Sequence, residues 1–425
     1  MNHSGKEPAM PNDISESDAW YQRAKAVIPG GIYGHYGYSI RQTGPKFFSK
    51  SEGSRFWDID GNEYIDYMCA YGPMILGYNH PGVDAAVLAQ LKLGNTVSLA
   101  APALVELAET LVDMVTAVDW ALFSKNGGDS TALAAMVARA ATGRRKLVKV
   151  TDGYHGVAPR MQAADRPGIT ADDLQHVIEV PWNDIDSLKQ AIEQNAGDIA
   201  GFISSPYDHT VFSDNTLPAP GYWQEVEALC RQSGIVIIID EVRSGFRINL
   251  KGANVEYDFT PDLICFGKAI GNGYPLAALT GCDALKQAAQ DVYFTGTQFF
   301  NAAPMAAARA TLQELQKLDA ASLMNDFGAR LNTGLADVAR SHGYNLKASG
   351  IAAMPYYRLT NVSRKAHFAW IDECVKRGVY LLGYHNHFVS TAHNDEDLKL
   401  TLDIVDAAFT ALGPAADLDE HMDQA

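Results

Sequence analysis

The stretch IVIIIDEVRSGFR, residues 235–247, opens with an unbroken β-branched run and turns abruptly charged at Asp240 and Glu241. An apolar run without alternation is a strand buried on both faces, so the sheet that holds it is covered by helices on either side. A second such run, LICF at 263–266, passes directly into Gly267 and Lys268. One carboxylate and one amine thus stand at the ends of two buried strands, the edge at which open α/β sheets bind ligands. Working outward, residues 120–124, 147–151, 199–204 and 277–281 also read as short apolar strands separated by amphipathic helices. The pattern predicts an α/β fold with a mostly parallel sheet. Upstream, a helix at 18–27 precedes strands at 56–59 and 64–67, which flank an Asp60-Gly61 turn. After Ala303 the pattern changes to long helices at 305–317 and 322–342 with few strands. This predicts an N-terminal segment at 1–70, a large domain at 71–302 and a smaller α+β domain at 303–425 that the N-terminal segment completes.

With 425 residues, 47% of them hydrophobic, the chain can bury a large core. Its net charge of -16 argues against nucleic acid or an anionic membrane as partner, because phosphate surfaces are held by clustered Lys and Arg. There is no run of roughly twenty apolar residues to span a bilayer, and the start, MNHSGKEPAMPNDISESD, is polar, which reads as a tail rather than a signal peptide. The 5 cysteines lack CxxC spacing, so neither a zinc site nor a disulfide framework is expected and a reducing, cytoplasmic setting fits.

A carboxylate at the end of one buried strand and a lysine just past another are what a pyridoxal 5'-phosphate site requires: the lysine forms a Schiff base with the aldehyde, and the acid keeps the pyridine nitrogen protonated. An exposed lysine titrates near 10.4, so Lys268 must be desolvated or set beside a cation to act at neutral pH. The competing readings are a lysine leaving the sheet for solvent and an Asp240 that merely caps a helix. For the phosphate, Asn126-Gly127-Gly128-Asp129-Ser130-Thr131 leads from the strand WALFS into the helix ALAAMVARAA. Backbone amides at such a helix start bind anions.

The surrounding words are specific. DEVRSGFR (240–247), PDLICFGKAIGNGYP (261–275), GT followed by NAAPMAAA (296–308), YIDYMCAYGPMILGYNHP (64–81), TGRRKLVKVTDGYHG (142–156) and PAPGYW (218–223) stand in order. Together they resemble the class III aminotransferases of fold type I, in the branch that contains glutamate-1-semialdehyde aminomutase. PGGIYGH (29–35), DYMCAYGP (66–73), KNGGD (125–129) and YHNHF (384–388) are similar to the subgroup that deaminates hydrolysed fumonisin. The resemblance implies that Lys268 carries the cofactor and shuttles a proton, with Asp240 on the ring nitrogen, Val242 and Tyr154 on the two ring faces, and Gly127, Gly128 and Ser130 around the phosphate. Thr297 resembles a threonine that reaches the phosphate across a subunit interface, which implies a homodimer with shared active sites. By family position Tyr33, His35, Tyr71 and His385 line the substrate pocket, and Arg243 is the candidate for carboxylate recognition.

Two departures matter. Gly128 stands where the family commonly has threonine, removing a hydroxyl that Ser130 or water would replace. Ser204-Ser205-Pro206-Tyr207 lacks a strand glutamate, and YLLGYHNHFVSTAH (380–393) lacks the arginine that many relatives use to grip a carboxylate. These losses point to a transaminase that moves nitrogen from a primary amine, bulky or long-chain, to a keto acid such as pyruvate. The alternatives are isomerisation, as in the aminomutase or an amino acid racemase of the branch, and a fold that binds cofactor without turnover.

Overall fold

The computed structural model describes residues 12–34, 37 and 44–415; His35 and the polar start at 1–11 lie outside the described residues. In chain order the strands are β1 (Phe48–Glu52), β2 (Arg55–Asp58), β3 (Glu63–Asp66), β4 (Trp120–Ser124), β5 (Lys146–Val150), β6 (Val177–Val180) and β7 (Ile199–Ser204). They continue with β8 (Val236–Asp240), β9 (Leu263–Phe266), β10 (Ala277–Gly281), β11 (Leu346–Ser349), β12 (Tyr356–Leu359) and β13 (Val379–Tyr380).

The large sheet has seven strands in the order β4-β10-β9-β8-β7-β5-β6. Strands β9, β8, β7, β5 and β6 run parallel, while β10 is antiparallel to both β9 and β4. Strand β8 shows why its sequence does not alternate. Val236 and Ile238 pack with Leu133, Ala134 and Val137 of the helix Gly127–Thr142. Ile237 and Ile239 pack on the opposite face with Trp223, Val226 and Cys230 of the helix Tyr222–Ser233. Both faces are dry, so every position is apolar until the strand ends at Asp240. Edge strand β6, VIEV, has three partly or fully exposed positions and was not among the strands expected from the sequence. Half-exposed and carrying Glu179, it offers no apolar run to recognise.

A second sheet, β1-β2-β3-β13, begins with the hairpin closed at the Asp60-Gly61 turn, where Gly61 adopts φ 89°. Strand β13 runs parallel beside β3, pairing Val379 with Ile65 and Tyr380 with Asp66, so N-terminal and C-terminal segments share one sheet. Helix Arg364–Lys376 packs against β13 and against helix Asp395–Leu412, where Trp370 stacks on Phe409 at 5.5 Å, and helix Ala320–Ser341 packs against Asp395–Leu412 and β11. Among the described residues no helix is long and apolar enough to cross a membrane.

Because Ile238 is fully buried between sheet and helix, Ile238→Ala should lower unfolding stability by about 2–5 kcal/mol through lost burial and a residual cavity. The denaturation midpoint in urea checks this.

Candidate functional site

Asp240 is the last residue of β8 and lies in register with Cys265 of β9, and Lys268 follows three residues on. The topology therefore delivers acid and amine to one sheet edge. Asp240 is 5% exposed, and both of its oxygens are engaged. His155 Nδ1 lies 2.7 Å from Oδ2, and the Val242 amide donates to Oδ1 at 2.9 Å. The histidine was missed by sequence reasoning, although it adjoins Tyr154 in the quoted TDGYHG. Its Nε2 is buried without a hydrogen-bond partner.

Lys268 opens a short 3-10 turn with φ 44°, a left-handed backbone that costs strain in a non-glycine residue. Burial, and after it the Arg243 guanidinium, pulls its amine down to about 7 despite the opposing influence of Asp240. Next to Asp240, burial holds the Glu241 carboxyl up at about 7, even though its Oε1 accepts the Ala253 amide at 2.8 Å.

The start of the helix Gly127–Thr142 faces the same edge. Asp129 turns back to accept from the Asn126 amide at 2.8 Å, leaving the glycine amides at the head of the helix. Both glycines are required by contact. A Cβ on Gly127 would stand 2.4 Å from Val242 Cγ1, and one on Gly156 would stand 2.4 Å from Gly128 Cα. Val242 thus lies directly over the loop, and no residue larger than glycine fits there. Ser130 is placed otherwise than expected: its hydroxyl is buried and lies 3.1 Å from Ser124 Oγ, directed into the sheet. The hydroxyl of Thr131 bonds the His155 carbonyl at 2.5 Å. Tyr154 stands 61% exposed at the mouth, and Thr297 is exposed on a turn far along the chain.

Arg243 is half-buried. Its Nη1 donates to the His209 carbonyl at 2.7 Å and to Asn386 Oδ1 at 3.2 Å, with His209 Nδ1 at 3.1 Å. All three partners are uncharged, because burial also drives His209 well below its ordinary value. His385 is held neutral in the same way and meets the Tyr71 ring edge-on at 5.3 Å, while the Tyr71 and Tyr384 hydroxyls lie 3.2 Å apart. Tyr33 is exposed on the segment that precedes the undescribed residues. Among the described residues no cluster of His, Cys, Asp and Glu could hold a metal ion.

A desolvated amine, a buried carboxylate and an open helix start at one sheet edge define an enzyme site for a phosphorylated aldehyde cofactor. The chain belongs to the class III aminotransferases: the family model "Aminotransferase class-III" matches residues 38–409. It is 40% identical over 393 residues to the aminopentol aminotransferase of Sphingopyxis macrogoltabida, covering 92% of this chain and 93% of that protein. It is 33% identical over 401 residues to the 3-aminobutyryl-CoA aminotransferase of Cloacimonas acidaminovorans, covering 92% and 96%. The solved pyridoxal phosphate form of the FumI protein of Sphingopyxis sp. MTA144 superimposes with a TM-score of 0.90 at 38% identity, covering 95% of this chain and 99% of that one. The protein is therefore of fold type I, with a large α/β domain and a smaller one, in the aminomutase-like branch. Its cofactor is pyridoxal 5'-phosphate and its reaction class is transamination.

In cofactor-free protein, acylation of Lys268 should rise with pH through a midpoint near 7, since only the neutral amine reacts and its value is lowered to about 7. Exposed lysines would respond near 10.4. Peptide mapping of the label across a pH series checks both. Gly127→Ala would drive its Cβ into Val242, and overpacking of that kind costs about 1–3 kcal/mol. The dissociation constant for pyridoxal 5'-phosphate should accordingly rise about tenfold, measured by titrating cofactor-free protein.

Proposed function

We propose that the protein moves the amino group of a primary amine, carried on a long or bulky aliphatic chain, to a keto acid such as pyruvate. The observation that carries this reading is Arg243: a guanidinium beside Val242, bonded only to neutral partners, in a chain whose 380–393 segment holds no arginine. A bidentate fork of N–H donors there suits the carboxylate of the acceptor. For the donor, Tyr71, Tyr384 and the neutral His385 offer a buried, largely aromatic wall. The name of the aminopentol aminotransferase, at 40% identity, also fits an amine rather than an amino acid as donor.

Bound pyridoxal 5'-phosphate supplies an electron-withdrawing ring that acidifies the proton on the substrate carbon bearing nitrogen. Lys268 Nζ, lowered to about 7 so that a large share is deprotonated near neutrality, would hold the cofactor and then take and return that proton. Asp240, fixed by His155 and by the Val242 amide, would keep a proton on the ring nitrogen. Val242 and Tyr154 would cover the ring faces, and the amides of Gly127 and Gly128 would bind phosphate. Thr297 of a second copy would complete the phosphate site in a cytoplasmic homodimer. Its segment exposes Tyr293 at 87% and Phe300 at 48%, apolar surface that a subunit interface would cover.

Assay a homologous series of alkylamines with pyruvate, reading alanine formed. Donor efficiency should rise about fourfold per methylene, ~0.8 kcal/mol each, until the pocket is filled. Lys268→Ala should abolish turnover. Arg243→Ala should slow the pyruvate half-reaction at least tenfold and spare the amine half-reaction. A strong preference for glutamate or its semialdehyde, or turnover that needs no acceptor, would sink the reading and favour an isomerase.

A further inference from the structure

Arg247 is fully buried, and its Nε, Nη1 and Nη2 all lack a hydrogen-bond partner among the described residues. The guanidinium carbon lies 5.1 Å from the centre of the Phe388 ring, which accepts positive charge on its face but no hydrogen bond. Its main chain is fixed from behind: the amide donates to the Ser244 carbonyl at 3.0 Å, and the carbonyl accepts from Asn325 Nδ2 at 2.9 Å. The side chain is therefore held in place without anything to hold.

Other arginines of the chain are treated differently. Arg55 meets the fully buried Asp397 at 2.7 Å, and Arg358 meets Asp214 at 2.7 Å. The ionisable neighbours that could offset Arg247 are the Cys69 thiol and the Tyr207 phenol, and burial pushes both upward, so both stay protonated and neutral. Burial lowers Arg247 itself only to about 10, so it remains charged at neutral pH. A buried guanidinium carries five N–H donors that need acceptors, and an unpaired buried charge is costly unless a counter-charge enters. Tyr207 Oη is likewise buried; the Ile351 main chain lies near its oxygen, but its own O–H proton meets no acceptor among the described residues. Tyr207 also packs in one cluster with Phe388, the ring beneath Arg247.

We propose that Arg247, with Tyr207 Oη as a second donor, forms a buried receiving site for a small monovalent anion, either a halide or a carboxylate. Monovalent size follows from the single positive charge, whose neighbours Cys69, Tyr207 and Phe388 are all neutral. The inference rests on the buried charge alone and does not depend on which amine or keto acid reacts.

The test uses cofactor-loaded enzyme in a halide-free and carboxylate-free buffer of fixed ionic strength, so that screening stays constant. Sodium bromide and sodium acetate are titrated separately while Tm is followed. A saturable rise with at least one of them is expected, as for any ligand that binds only the folded state. The rise should vanish in Arg247→Met and weaken in Tyr207→Phe, which keeps the ring and serves if the first variant does not fold. Anomalous density for bromide beside the guanidinium identifies a halide; a response to acetate alone identifies a carboxylate. No saturable rise with either anion overturns the site, and so does an undiminished rise in the variants. Turnover is not read, so failure here leaves the proposed reaction standing.

Discussion

Asp240 ends a strand whose other positions are all buried and apolar, and a carboxylate can stay there only if both oxygens are met. One is met by the amide of Val242 and the other by His155. Much of the site geometry follows from supplying that histidine. It comes from the end of β5, which β7 separates from β8, so the chain must turn tightly after Val150. Gly153 permits the turn, since a Cβ there would stand 2.9 Å from the Val150 carbonyl and 3.0 Å from His155 Nε2. Gly156, at φ 103°, then brings the chain onto Gly128, and Gly127 packs on Val242, whose amide returns to Asp240. Acid, histidine, glycine loop and Val242 form one closed circuit of contacts. A side chain added to any of its glycines would be felt at the carboxylate.

The same circuit shapes the charge balance. Lys268 stands beyond the next strand, shielded from water and within reach of Arg243, and these two influences outweigh the attraction of Asp240. Glu241, with its carboxyl held up at about 7, gives little additional negative charge near neutrality. His209 and His385 are buried as neutral rings, so the cations facing the opening are Arg243 and whatever fraction of Lys268 is protonated. On the proposed reaction, an anionic acceptor entering this space would meet a guanidinium whose present partners are a carbonyl, an amide oxygen and an imidazole. Exchanging neutral acceptors for a carboxylate strengthens those hydrogen bonds rather than merely replacing them.

What could be read in the sequence was what lies on single strands. The central strands β8 and β9 are apolar up to their ends, and Asp240 and Lys268 are conspicuous because they end or closely follow such runs. The hairpin of β2 and β3 declares itself through its Asp-Gly turn. Other features depend on partners far away in the chain. Asp240 and His155 are 85 residues apart, and Arg243 reaches His209 over 34 residues and Asn386 over 143. No spacing rule links such positions. Ser130 illustrates the opposite difficulty: its place at the helix start was legible, but whether its hydroxyl points at the opening or at Ser124 depends on side-chain packing that one-dimensional pattern does not carry. The two arginines of DEVRSGFR look equivalent on paper. Only the fold separates a half-buried Arg243 with three partners from a fully buried Arg247 with none among the described residues.

The segment before the large sheet shows how the smaller sheet enters the chemistry. Cys69, Ala70 and Tyr71 have φ of 45°, 53° and 67° in succession, followed by Gly72 at 106°. Non-glycine residues visit this region singly as a rule, and each such residue costs about 1–3 kcal/mol. The turn persists because it is held from both sides. Met68 O accepts from the Tyr71 amide at 2.7 Å, Tyr67 O accepts from the Phe388 amide at 2.7 Å, and the Cys69 thiol lies 3.5 Å from the carbonyls of Asp66 and Phe388. Gly72 fits because a Cβ would stand 2.8 Å from the Phe388 ring. Asp66 and Tyr380 are the last residues of β3 and β13, and they are paired in the small sheet. That pairing sets the register between the strained turn and the chain that follows β13 through Tyr384, His385 and Phe388. The same segment supplies Asn386 to Arg243 and the ring beneath Arg247. The segment of Tyr384, His385 and Phe388 is therefore positioned by the small sheet and Asp240 and Lys268 by the large one, and the strained turn is where the two are made to meet.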